Sequence, residues 1–302
     1  MSRRRITLLS AAEQRYCLPL LEGFAARHPE IEVDFVFGIS TALHARYLAE
    51  VAAGGATADL IWSSAMDLQM ALVLGGHAQP HRVTHSLPAA ASYRDLAVST
   101  TSEPLVTLLR GAPGPAGTPG EIASLLRADP ARFAGKVALP DIEANGLGFL
   151  AMLRWSLEDE NFPALLDALA AARPRAVGSA VALLSAMEEG AAMAMHVLGA
   201  YARRSVAADS ALSIAPSAAP PQAVARVAFI PRRAAEPDAA AAFLAYLVSV
   251  EGQAALDAAG LFPITQQSVA PIPIDRGFEA LLEDGARAAL RKAWRRAIGR
   301  NA

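Results

Sequence analysis

The sequence predicts an α/β protein of two lobes, the second inserted into the first, each lobe a mixed and mainly parallel sheet flanked by helices. Three observations carry this reading. The chain of 302 residues is long for one domain and suits two, at roughly 100 to 200 residues each. Through the first third, short β-branched or aliphatic runs alternate with helix-like stretches every ~27 residues, as strands and crossover helices of a parallel sheet do. Two Pro-rich stretches, 111–119 and 215–221, then bracket a second set of such elements.

In order along the chain, residues 6–9 read as a strand, 18–27 as a helix and 31–37 as a strand whose apolar and polar residues alternate. A helix over 41–53, a third strand over 60–62 and a third helix over 67–74 follow. Pro19 suits the first turn of its helix, where its missing N–H costs nothing. After Ser99-Thr100-Thr101 the pattern restarts. The run from Gly111 to Pro119 is the strongest loop signal. Thr118, Pro119 and Glu121 then spell a capping box that opens a helix. A strand over 136–139, helices over 147–157 and 163–172, a short buried strand over 191–195 and a strand over 224–230 come next. Helices over 238–259 and 278–298 are expected to return to the first lobe. The first lobe is therefore expected at 1–99 and 224–302 and the second at 100–223, with a hinge near 98–101 and 224–228. The last helix carries Arg287, Arg291, Lys292, Arg295 and Arg296 around Leu290 and Trp294, which reads as a solvated basic face.

With 53% hydrophobic and 19% charged residues, the chain buries cores and is neither disordered nor collagen-like. Its 27 basic and 29 acidic residues nearly cancel, so no global field draws nucleic acid or anionic lipid. A single cysteine, Cys17, excludes an internal disulfide and a Cys-rich metal site. The longest apolar run, 239–250, falls short of the roughly 20 residues a membrane span needs. The basic start Arg3-Arg4-Arg5 has no apolar h-region behind it, which leaves a cytoplasmic protein or one whose signal is absent from this sequence.

Three polar segments lie where a predicted strand gives way to a helix: Gly38-Ile39-Ser40-Thr41, Ser63-Ser64-Ala65-Met66 and Asn145-Gly146-Leu147-Gly148. In open α/β sheets the carboxyl ends of strands face the ligand, and helix N-termini there favour anions. The plainer alternative is that Ser40, Ser63 and Asn145 only cap their helices, each adding about 1 kcal/mol. Gly146-Leu-Gly148-Phe-Leu-Ala151 matches a dinucleotide fingerprint, but the preceding loop is too long and no acidic residue closes a second strand. His77, His81 and His85 recur every fourth residue, yet Pro80 breaks the helix that would make them ligands. His196, after the apolar run 191–195, is read as the end of a buried strand. It is either a hydrogen-bonded core residue or a group at the mouth of a ligand crevice. As an imidazolium donor to an anion it would make affinity fall as pH rises. No nucleophile elbow, Walker A or H-E-x-x-H motif is present, so no catalytic residue and no cofactor is assigned.

Several stretches together resemble the type II periplasmic solute-binding proteins of ABC transporters, in the branch that binds ferric ion and hexose phosphates. They are Ile6-Thr-Leu-Leu-Ser-Ala-Ala-Glu13, Phe24-Ala-Ala-Arg-His-Pro-Glu-Ile31, Ala58-Asp-Leu-Ile-Trp-Ser-Ser-Ala-Met-Asp-Leu-Gln69 and Thr100-Thr-Ser-Glu-Pro104. To these add Gly146-Leu-Gly-Phe149, His196-Val-Leu-Gly-Ala-Tyr201 and Arg226-Val-Ala-Phe-Ile-Pro231. Residues 62–69 and 197–201 are most similar to a subgroup associated with two-component sensors. The resemblance implies a two-lobed fold with a cleft between lobes, which close on a small ligand without chemistry, and a periplasmic location. It implies ligand contacts at Ser10, Ala11, Ser40, Thr41, Ser63, Ser64 and Thr101, and from the second lobe at Asn145, Gly146, His196 and Tyr201. No two of Tyr16, Tyr47, Tyr93, Tyr201 and Tyr246 are adjacent, which departs from the tyrosine pair of ferric binders. Met195-His196 stands where the subgroup has Tyr-Asn.

The reading expected from the whole is a monomeric extracytoplasmic receptor. It hands a small organic anion, phosphorylated or carboxylated, to an ABC permease or a sensor kinase, with no metal, no nucleic acid and no membrane insertion. The alternatives are an enzyme on the same fold acting on a phosphate ester, with His196 as acid or base, and a ferric-ion binder.

Overall fold

The computed structural model of the chain describes residues 3–266 and 269–299. The chain divides into two compact units, Met1–Glu103 with Val224–Ala280 and Pro104–Ala223 with Leu281–Ala302. It opens with β1 (Arg4–Ser10), α1 (Leu18–Arg27), β2 (Ile31–Phe37), α2 (Ser40–Ala52), β3 (Leu60–Ser63), α3 (Met66–Leu74), β4 (Ser92–Tyr93) and β5 (Ala97–Ser99). Then come β6 (Glu103–Arg110), α4 (Pro119–Ala128), α5 (Pro130–Phe133), β7 (Val137–Pro140), α6 (Gly146–Glu158), α7 (Phe162–Ala172), β8 (Arg175–Val177) and α8 (Ala180–Glu188). The chain continues through β9 (Met193–Leu198), α9 (Gly199–Ala208), β10 (Leu212–Ile214), β11 (Ala223–Val224), β12 (Val227–Phe229), α10 (Pro237–Leu247), α11 (Val250–Ala258) and α12 (Asp284–Ala297).

The sheet of the first unit runs β2-β1-β3-β12-β5-β4. β1 is parallel to β2 and β3, whereas β12 is antiparallel to β3 and β5. Position explains the sequence pattern. β2 lies at the sheet edge and alternates less with more exposed residues over 31–35, while the central β3 is buried throughout and reads as the apolar run Leu60-Ile61-Trp62 before Ser63. Phe24 of α1 meets Phe243 of α10 edge to face at 4.8 Å between ring centres, and Ile6, Leu8, Leu20, Leu244, Leu247 and Leu256 complete a fully buried core.

The sheet of the second unit runs β10-β6-β9-β7-β8, with β11 beside β6. β7 is parallel to β8 and β9, and β6 is antiparallel to β9. The Thr118 hydroxyl accepts the Glu121 N–H at 3.3 Å while Glu121 accepts the Thr118 N–H at 3.0 Å, so the capping box opens α4 as its sequence implies. Gly148 lets α6 lie against the end of β7, because a Cβ there would stand 2.2 Å from the Pro140 Cβ. No single helix among the described residues is long and apolar enough to cross a membrane.

The last helix corrects one expectation. α12 belongs to the second unit, where Leu290 and Trp294 join the core formed by Phe149, Leu153, Phe162 and Leu169. An amphipathic helix is legible from its own residues, but the face that receives it belongs to other segments. The single strand expected over 224–230 is divided into β11 and β12 around Ala225 and Arg226.

Arg226 and Glu103 form an ion pair, Nε to Oε1 at 2.7 Å, with both side chains almost completely buried. Around it, the Thr101 hydroxyl donates to Glu103 at 3.2 Å and accepts the Arg226 N–H at 2.8 Å. The Thr100 hydroxyl donates to the Arg226 carbonyl and accepts from the Trp62 indole. These residues flank two of the three places where the chain passes from one unit to the other, the third lying between Ala280 and Leu281.

Candidate functional site

In the first unit the carboxyl ends of β2, β1 and β3 lie side by side, since Ser10 is in register with Phe37 on one side and Trp62 on the other. Ser10, Ser40 and Ser63 therefore share one sheet edge. The Ser40 and Ser63 hydroxyls stand 3.4 Å apart although 23 positions separate them in sequence. Neither caps its helix: the capping residues of α2 and α3 are Ile39 and Ala65, with no side-chain cap bond. The N-cap alternative therefore fails for Ser40, while Ser63 closes the turn into α3 by accepting the Ala65 N–H at 3.3 Å. Two helix starts without a side-chain cap on their first turn and a pair of hydroxyls converge at one edge, an arrangement that favours an anion. Ser10 accepts the Ala12 N–H at 3.1 Å, while Ala11, Thr41 and Ser64 flank the same turns. Thr101 is not part of this group; its hydroxyl serves the Glu103–Arg226 network.

Sequence reasoning missed two features of this edge. Phe37 and Ile39 expose roughly half their surface beside Ser40, and two exposed apolar side chains next to polar turns suit the rim of a ligand site. Asp67 is buried in the first turn of α3. Burial pushes the pKa of His44 on α2 down, and the nearby Asp67 only partly offsets this.

In the second unit the carboxyl ends of β7, β8 and β9 carry the corresponding turns. Asn145 does cap α6, its Oδ1 accepting the Gly148 N–H at 2.9 Å. Asp141 shapes the turn before it by accepting the Glu143 N–H at 2.9 Å and giving its carbonyl to the Asn145 N–H. Tyr201 is buried in the first turn of α9, whose capping residue Leu198 has no polar side-chain atom to make a cap bond. The turn Gly178-Ser179 at the end of β8 was not anticipated. Ser179 caps α8 through the Ala182 N–H, and the signal was a Gly-Ser pair between Arg175-Ala176-Val177 and an Ala/Leu-rich run.

His196 corrects the sequence expectation. β9 continues two residues past it, and His196 is not at a strand end. Between the pairs Val106–Val197 and Leu108–Ala194, two residues of β9 oppose one of β6, so Met195 and His196 form a bulge with His196 at φ 53°. The ring lies 4.3 Å from that of Trp155 and is 4% exposed, and neither ring nitrogen has a hydrogen-bond partner among the described residues. Burial lowers its pKa to about 3. Protonating it at pH 7 would then cost about 5 kcal/mol, more than the ~1.5–3 kcal/mol a charge-assisted hydrogen bond returns. Burial therefore holds the ring neutral in the unliganded protein, which counts against the imidazolium reading.

Among the described residues no group of three His, Cys, Asp or Glu is placed to hold a metal ion. Arg154, at the far end of α6, is occupied with Glu158. The donors at both sets of turns are hydroxyls, amides and backbone N–H groups.

Two mixed sheets flanked by helices, with polar turns at the carboxyl ends of their strands, are the architecture of the type II periplasmic binding fold. The profile of the bacterial extracellular solute-binding proteins matches residues 7–262, and the chain belongs to that family. Among solved structures, the substrate-binding protein of an ABC transporter from Agrobacterium tumefaciens superposes with a TM-score of 0.90 at 25% identity, over 98% of this chain and 94% of that one. AfuA from Actinobacillus pleuropneumoniae, with fructose 6-phosphate bound, gives 0.78 at 15% identity over 98% and 99%. Iron-bound HitA from Pseudomonas aeruginosa gives 0.70 at 15% identity over 97% and 99%. Comparison with curated proteins finds no match.

Proposed function

We propose that this chain is the extracytoplasmic receptor of an ABC importer and captures a small organic anion, phosphorylated or carboxylated, through neutral donors and helix N-termini. The observation that carries the reading is the convergence of the Ser40 and Ser63 hydroxyls, 3.4 Å apart, at the uncapped starts of α2 and α3. Asn145 and Gly146, with the neutral ring of His196 and Tyr201, supply the second set of contacts. The fructose 6-phosphate in AfuA makes sugar phosphates the first ligands to try. Residues 98–101 and 224–228, beside two of the three passages between units, serve as the hinge in this reading. The likeness of residues 62–69 and 197–201 to the sensor-associated subgroup makes a two-component sensor kinase the alternative partner to the permease.

A thermal-shift screen against sugar phosphates, carboxylates and ferric ion tests the reading, because a ligand that binds only the folded state raises its apparent stability. The double variant Ser40→Ala/Ser63→Ala removes both hydroxyls without overfilling the buried Ser63 position and should lose most of the shift. An unchanged shift would remove these serines from the site.

A further inference from the structure

The C-terminal helix holds the turn that carries Asn145, by two contacts that bracket it. Ahead of Asn145, the Glu143 carboxylate receives Arg295 Nη2 at 2.7 Å and Nε at 3.0 Å on one oxygen, and Arg291 Nε stands 3.4 Å from the other. Beyond Asn145, the guanidinium carbons of Arg287 and Arg291 lie 4.3 and 4.5 Å from the centre of the Phe149 ring, at the fourth residue of α6. Leu290 and Trp294 anchor α12 itself in the core of the second unit. Arg291 thus touches both the turn before α6 and its first helical turn.

We propose that Arg291 and Arg295 are positioning residues for the ligand turn 141–148, acting through Glu143 and Phe149; this rests on the reading that Asn145 and Gly146 contact the ligand. Ligand contacts must be held within about 0.5 Å of their productive geometry by groups that lock them in place. The turn has its own Asp141 bonds, but the side chain at its middle, Glu143, is fixed only from α12 among the contacts the structure shows. The ion pairs are partly exposed and add little to global stability. Their effect is local to the turn.

The test compares wild type with Glu143→Gln, Arg295→Ala, Arg295→Lys, Asn145→Ala and the control Arg154→Ala, which breaks another exposed pair of α6. Binding of fructose 6-phosphate, inorganic phosphate and citrate is measured by calorimetry, and amide hydrogen exchange is followed across 141–148. Arg295→Ala and Glu143→Gln should each weaken binding about three- to fivefold and speed exchange in the turn, with the thermal midpoint unmoved. Their double variant should be no worse than either alone, and Arg295→Lys should recover most of the affinity. Wild-type exchange in Arg295→Ala, or an equal loss in Arg154→Ala, would overturn the proposal. Wild-type binding by Asn145→Ala would instead overturn the assignment of the turn to the ligand. A wild-type protein that binds none of the three anions overturns the anion reading and the functional half of this proposal, while exchange still decides whether the clamp holds the turn.

Discussion

Replacing His196 by Asn should remove a specific part of the protein's acid sensitivity. In the folded protein the ring is buried against Trp155 and stays neutral down to about pH 3; in the unfolded chain it titrates near 6.5. Below pH 6.5 the unfolded state therefore binds a proton that the folded state does not. The folded state loses stability as pH falls from 6.5 toward 3, at up to about 1.4 kcal/mol per pH unit. Between pH 8 and pH 5 the loss due to this one group is about 2 kcal/mol. Asn suits the position because it tolerates the left-handed backbone at φ 53°. Its smaller side chain costs packing at every pH, but that cost does not titrate. Urea unfolding of both proteins at pH 8 and pH 5, followed by tryptophan fluorescence, gives the double difference; contributions of the other titrating groups cancel. Wild type should lose about 2 kcal/mol more than the variant over this interval. Equal losses would show that the ring is solvated or charged in the folded state, contrary to its burial.

Three further outcomes follow from the geometry. Glu103→Gln leaves the Arg226 guanidinium buried without its counter-charge and should cost about 3–5 kcal/mol, read as a lower urea midpoint. Gly148→Ala drives a Cβ to 2.2 Å from Pro140 and should cost about 1–3 kcal/mol; it should also weaken any ligand held at Asn145, as calorimetry will report. Ferric titration should produce no phenolate-to-iron absorption band, since a hard cation seeks anionic oxygens and the first unit offers hydroxyls at Ser10, Ser40 and Ser63. A stoichiometric band would overturn the organic-anion reading.

Local order was legible in the residues because its causes are local. The apolar run at β3, the alternation in β2 and the capping box at Thr118 each declare an element from its own side chains, and the three polar turns declare themselves by position after a strand. Composition alone set aside nucleic acid as a global electrostatic partner, and Cys17 set aside a disulfide. What depends on a partner distant in sequence was decided by the tertiary structure. Ser40 and Ser63 become a pair because β1 lies between β2 and β3 and aligns their ends. α12 announces an apolar stripe, but the groove formed by α6 and α7 places that stripe in the second unit. His196 follows an apolar run in the sequence. Only the mismatch of one residue between β9 and β6 makes the bulge that turns its backbone left-handed, and only the Trp155 ring and the surrounding core strip its nitrogens of water and hold it neutral.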